Sequence, residues 1–189
     1  MISALKFISK RSIIIIMVYM DMFNSEDIFN KDLYPAYTNM VRGIRNKAIY
    51  TPVRNKIEKL RQLVRKTYKI VHDLYIEYRN ADIEIIAGMI ARVGYLAEDM
   101  EDLIDEILSE KMPPGEDSET FKLYLARILD EAIYNIDNDT GTLLFEINHG
   151  DEYGIDYYQF EDELVKFLEG TERALKEIDN SLGEVLRRI

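Results

Sequence analysis

From Val53 onward the apolar residues fall at positions 53, 57, 60, 64, 71, 74 and 78, with Thr67 in the one slot that interrupts the series. Steps of three and four place them on one side of a helix and not on the face of a strand. Thr51 and Pro52 mark the start, a capping hydroxyl followed by a residue whose missing N–H costs nothing in the first turn. The spacing predicts a helix over 53–79, roughly 40 Å long at about 1.5 Å per residue. A second helix is expected over 80–111, with Ile86, Ile90, Val93, Ala97, Met100, Ile104 and Ile107 on one face. Ala87, Gly88, Ala91 and Gly94 lie within it and are small enough to admit a neighbouring helix backbone. "MPPGEDS" at 112–118 ends it in a loop.

A third helix is predicted over 119–136, facing inward with Phe121, Leu125, Ile128, Ala132 and Ile136. Residues 137–156 are rich in Asp, Asn and Gly and read as a connection, in which "TLLFEIN" at 142–148 suggests a small β-hairpin or short strand. The last helix is expected over 157–189, with Phe160, Leu164, Leu168, Leu175, Ile178, Leu182 and Val185 in register. Arg187 and Arg188 complement its negative end. Four long amphipathic helices predict an all-α, four-helix-bundle-like fold over 51–189.

Residues 1–50 read as an N-terminal arm with short helices near 25–33, capped by Ser25 and stopped by Pro35, and near 37–49. Within the arm, "SIIIIMVYM" at 12–20 is far short of the roughly 20 apolar residues a membrane span needs. Asp21 and Asn24 stand where a signal peptide would carry small residues for cleavage. No transmembrane segment is therefore expected. The four isoleucines fit a buried strand or an arm that inserts into a partner, and Met17, Met20 and Met22 leave open a later natural start.

Composition adds a core of ordinary size, with 47% apolar residues in 189, and excludes thiol chemistry, since cysteine is absent. Charge changes the picture more. The net charge is -11, yet residues 1–79 carry 15 Lys and Arg against 7 Asp and Glu, while residues 80–189 carry 9 against 28. Ten of the cations lie within 41–72, beside one carboxylate, Glu58. At 100° per residue, Arg54, Arg61, Arg65, His72 and Arg79 form a ridge beside the apolar seam, with Lys69 close by. Lys56, Lys59 and Lys66 lie on the opposite flank or behind, and Arg42, Arg45 and Lys47 extend the basic region backwards. Spacings along the ridge of about 6–10 Å are commensurate with successive phosphates.

Binding responds to local potential within a Debye length of about 8–10 Å, so an acidic chain can still hold a polyanion on a basic face. The expected nucleic-acid-binding set is Arg42, Arg45, Lys47, Arg54, Lys56, Lys59, Arg61, Arg65, Lys66 and Lys69. An anionic membrane, a neighbouring subunit's acidic half, or the acidic helices of the same chain would also satisfy these cations. Phosphate contact would be sequence-tolerant, because no base-reading signature is present. Tyr50, Tyr68, Tyr75 and Tyr78 interleave with the cations, to stack on bases or to edge the core.

Catalytic chemistry is sparse. Arg65 and His72, in "RKTYKIVH", resemble the Arg-x(4-6)-His pattern of the HEPN ribonucleases, which implies RNA cleavage at a dimer interface. Glu146 and His149 form a single Glu-x-x-His, whereas a di-iron bundle needs two such pairs and further glutamates. "DNDTGTLL" at 137–144 lacks the ligands of a calcium loop, and "EDMEDLIDE" at 98–106 keeps helical spacing with a solvated acidic face. With no phosphate-cradling Gly loop and no nucleophile motif, neither an enzyme nor a cofactor is expected.

The stretch "KAIYTPVRNKIEKL", residues 47–60, resembles a segment of the coat proteins of filamentous archaeal viruses, where Ala-Ile-Tyr precedes a basic amphipathic helix. The resemblance implies a helical virion protein whose arm and basic helices enclose double-stranded DNA while the bundle faces outward. The DNA-facing role would then fall on Arg42, Arg45, Lys47, Arg54, Lys56, Arg61, Arg65 and Lys69. It further implies a capsid protein that self-assembles, as a homo- or hetero-oligomer with related subunits, in the virion or otherwise the cytoplasm. The rival expectations are a small helical subunit of a ribonucleoprotein complex, a HEPN-like RNase and a protein–protein adaptor.

Overall fold

The apolar seams decide the architecture, because each helix carries one stripe that water disfavours and each stripe finds its neighbour. A computed structural model describes residues 41, 42, 44, 45, 47, 51–153 and 157–188. Helix α1 spans Arg54–Glu77, α2 Ile83–Ser109, α3 Glu116–Ile128, α4 Tyr134–Tyr153 and α5 Tyr157–Leu186. Leu129–Ile133 is a π-helical turn that joins α3 to α4 without a loop. The described residues form no strand. Helix α1 packs on α2 and α5, α2 on α4, and α4 on α5, closing an all-α four-helix bundle within the compact unit Asp32–Ile189.

The core is the predicted one. Ile57, Leu60, Val64 and Leu74 of α1, Ile90, Val93, Met100 and Ile104 of α2, and Leu168, Leu175, Ile178 and Leu182 of α5 are fully buried. Burial of each such side chain contributes roughly 1.5–3 kcal/mol before entropy is charged against it. Thr67 sits in the seam because its hydroxyl bonds back to the Leu63 carbonyl at 2.9 Å. Tyr124 of α3 is also fully buried, and its hydroxyl meets Ser181 Oγ of α5 at 2.6 Å, which satisfies the polar end of an otherwise apolar contact.

Three sequence expectations are corrected. The connection over 137–156 and the small β-hairpin at 142–148 do not form: the chain is helical through Tyr134–Tyr153. Asp, Asn, Thr and Gly are weak helix formers, but Ile136, Thr140 and Leu143 recur at helical spacing and are buried. The polar side chains also fold back on the helix, Thr140 donating to the Asp137 carbonyl at 2.6 Å, Thr142 to Asn138 at 3.1 Å and Asn148 to Leu144 at 2.7 Å. Thr51 does not cap α1; Thr51–Val53 is a 3-10 turn, and the Thr51 hydroxyl donates to the Lys47 carbonyl at 3.5 Å. Finally, of the two glycines in α2, Gly94 meets a neighbour closely, since a Cβ there would lie 2.8 Å from Thr140 Oγ1, whereas one on Gly88 would meet open space.

The arm and the helix at 25–33 lie outside the described residues, as does most of the helix expected at 37–49. Val41 and Arg42 are helical, and Val41 and Ile44 reach the core. This short segment is tied down at two points. The Arg45 backbone N–H donates to Asp117 at the start of α3, and Arg188 near the end of α5 donates to the Ile44 carbonyl.

Candidate nucleic-acid interface

The basic helix α1 has four sides, and its cations are divided among three of them. On the flank toward α5, six polar side chains meet carboxylates in antiparallel order. Arg61 and Arg65 both donate through Nε to Asp179 Oδ1 at 2.7 Å. Tyr68 OH donates to Glu172 Oε1 at 3.0 Å, and His72 Nδ1 meets the same oxygen at 3.0 Å. Tyr75 OH donates to Glu169 at 3.1 Å, and Arg79 Nε lies 3.7 Å from Glu161. Partner numbers fall as α1 numbers rise, which is the register of two antiparallel helices. Apart from Arg54, the ridge expected to face a polyanion from outside thus faces the protein's own last helix.

Local sequence explains how the guanidinium of Arg61 fits. Gly183 lies one turn beyond Asp179, and a Cβ there would stand 2.7 Å from Arg61 Nη2. The missing side chain is the notch in which the Arg61 head rests while Nε reaches Asp179. Burial would push the Asp179 carboxyl up, but the bonds from Arg61 and Arg65 hold it below the usual range. The same bond raises Arg65, and the hydrogen bond to Glu172 raises the Tyr68 phenol. These shifts reflect a protein that uses its cations as internal counter-charges.

On the opposite flank, Lys56 Nζ contacts Glu106 of α2 at 3.6 Å and Glu110, just past the end of α2, at 2.6 Å, and the Glu110 bond raises its pKa. Arg54 pairs with Glu58 one turn along at 3.0 Å. Four members of the expected set, Arg54, Lys56, Arg61 and Arg65, therefore meet carboxylates of the same chain. Their Coulomb attraction to an outside polyanion is reduced accordingly.

The remaining side faces outward. Lys59, Lys66 and Lys69 are exposed there together with Asn55 and Gln62. No ion pair joins these three lysines to any described residue. Lys59 and Lys66 lie about 10 Å apart along the axis and Lys66 and Lys69 about 4.5 Å apart. Arg65, with 59% of its side chain exposed despite its pairing, borders the strip. Arg42, Arg45 and Lys47 are also exposed, in the segment that precedes α1. The structure brings together one strip of three lysines and one short basic segment, not a single surface of ten cations.

The other candidates resolve as follows. Tyr68 and Tyr75 are held by α5 carboxylates, and Tyr78 OH accepts from Arg79, so these rings edge the bundle; Tyr50 lies outside the described residues. Arg65 and His72 do share a face, but α5 engages both, and His72 stacks on Tyr68 at 5.9 Å. His149 stacks on Phe145 at 4.7 Å and meets the Phe145 carbonyl at 3.2 Å. Among the described residues no three His, Cys, Asp or Glu side chains are placed to hold a metal ion, and no helix is long and apolar enough to cross a membrane. Sequence reasoning offered the chain's own acidic helices as one alternative partner for these cations but did not name the acceptors on α5. The available signal was spacing: Glu172 and Asp179 stand seven apart, as do Arg65 and His72.

Compared with known proteins, the chain matches no family model, no curated protein and no solved structure.

Proposed function

We propose that the chain is a non-enzymatic binding protein that holds a polyanion on the outer face of α1, with double-stranded DNA the favoured ligand. The single observation that carries this reading is the strip of Lys59, Lys66 and Lys69, exposed on one helix face and unpaired among the described residues. Arg42, Arg45 and Lys47 add positive charge before the helix starts. Contact of this kind is with phosphate and tolerates any sequence. The coat-protein resemblance of residues 47–60 supplies the biological form of the proposal, a self-associating nucleocapsid subunit of a virion. Lys56 and Arg61 leave the contact set, because their charge is already compensated by α2 and α5.

Titration of a fluorescent duplex against the protein over a range of salt tests the proposal. Six exposed cations lead us to expect log affinity to fall with log salt at a slope of about -3 to -5. Regular filaments seen by electron microscopy on DNA would support the nucleocapsid form. Absence of binding at low salt, or binding indifferent to salt, would overturn the proposal. Ile76, Ile83 and Ile85, exposed at 63%, 46% and 53% around the turn between α1 and α2, favour a second reading, a protein–protein adaptor. Under that reading truncation of the isoleucines abolishes association while DNA has no effect.

A further inference from the structure

Helix α4 brings no Lys or Arg to its own contacts. From Tyr134 to Tyr153 it contains no Lys or Arg, and α2, against which it packs, contains one basic residue, Arg92, against seven Asp and Glu. Carboxyl groups nevertheless lie at both of its helix contacts. Toward α2, Glu101 has a buried Oε1 with no hydrogen-bond partner. The charged groups that bear on it are Asp137 from α4 and Glu98, Asp102 and Asp105 from its own helix, all acidic. The close approach at Gly94 brings Asp137 there, since a Cβ on Gly94 would lie 3.9 Å from Asp137 Oδ1. Toward α5, Glu146 has a buried Oε2 without a partner, and its carboxyl is within hydrogen-bond reach of the Glu163 carboxyl. Two carboxyls can share a hydrogen bond only when one of them carries a proton.

We propose that α4 is a proton-operated latch, docked between α2 and α5 while Glu101 and Glu146 hold protons, and released as a unit when they ionise. Ionisation would place charge on buried oxygens that face other carboxyls, and the charged groups among the described residues that bear on Glu101 and Glu146 are all acidic. Desolvation, with the neighbouring carboxyls, pushes Glu101 up to about 7, and burial with the Glu163 bond pushes Glu146 up to about 7. Burial also raises Asp137, and it raises Asp139 to about 6. The transition therefore falls near neutral pH. Release uncovers Ile136, Thr140 and Leu143 together with the α2 face around Val93 and Ala97. Helix α1, held by Lys56, Arg61 and Arg65, stays in place. The latch stands independently of polyanion binding.

Hydrogen exchange of the full chain, corrected for the intrinsic pH dependence of exchange and read at pH 5.5, 7 and 8.5, tests it. Protection of α4 amides in the wild-type protein should fall on the order of tenfold or more between the two extremes, while the α1 amides at 57–74 hold theirs. In the variant with Glu101→Gln and Glu146→Gln, whose amides imitate the protonated groups, α4 should keep its low-pH protection at pH 8.5. Glu163→Gln relieves the same pair from α5 and should recover part of that protection by itself. PH-independent protection of α4, an unchanged loss in both variants, or equal loss across the whole bundle would overturn the proposal.

Discussion

The two flanks of α5 are both lined with carboxyls, and they are stabilised in opposite ways. Toward α1, Glu161, Glu169, Glu172 and Asp179 each meet an arginine, a histidine or a tyrosine hydroxyl. Toward α4, Glu163 meets Glu146 and a neighbouring amide, Gln159, at 3.1 Å. The difference follows from what the facing helices supply. Helix α1 is the basic one, whereas α4 has no Lys or Arg to offer. One flank therefore favours an ionised carboxylate at Asp179, while on the other burial and the Glu163 contact favour the neutral form of Glu146. The comparison shows that a strongly polarised sequence can neutralise part of its own charge by folding, and that the part left over identifies where to look for a partner.

The largest expected effect breaks the α4 side by sterics. Gly94→Val would drive a side chain into Thr140 and should destabilise the bundle by about 2 kcal/mol in a denaturant melt, while Gly88→Ala, facing open space on the same helix, should stabilise it by roughly 0.5–1 kcal/mol. Loss from both substitutions would contradict the close approach assigned to Gly94. Next comes the α1 side. Asp179→Asn leaves two arginines without their carboxylate and should lower stability by about 1 kcal/mol, with less effect in high salt, where the pair is already screened.

The pH dependence sharpens the contrast without any substitution. Asp179 has a lowered folded-state pKa, so its contribution is present above the ordinary carboxylate range and is lost as pH falls through the folded value. Glu101 and Glu146 have raised values, so their contribution is complete at low pH and is lost as pH rises toward about 7 and past it. Thermal unfolding should accordingly show a stability maximum on the acidic side of neutrality, and Glu101→Gln should flatten the alkaline decline alone. An alkaline limb that survives in that variant at full size would assign the decline elsewhere.

Much of this fold was legible in the sequence, because α1, α2 and α5 carry long apolar stripes whose burial outweighs local preference. Helix α4 was not, since Asp137, Asn138, Asp139, Thr140 and Gly141 are turn formers by intrinsic preference, and their helical state depends on packing against α2. The candidate site was legible as composition but not as geometry. Ten cations in a row of residues reveal a basic helix, yet the side each one faces depends on where the acidic α5 docks. Arg61 and Lys59 are two residues apart; the first rests on Gly183 and the second faces outward.

The smallest expected effect on stability accompanies the largest on binding. Replacing Lys59, Lys66 and Lys69 with Glu touches no ion pair among the described residues and should leave the unfolding curve within about 0.5 kcal/mol of wild type. The most direct measurement is the affinity of this triple variant for a duplex of roughly 20 base pairs at moderate salt, beside the wild-type protein. If the outer strip is the polyanion-contacting face, affinity should fall on the order of 100-fold with the fold intact. Equal affinity of the two proteins would contradict the division of charge between an inward flank that holds the bundle together and an outward strip that binds.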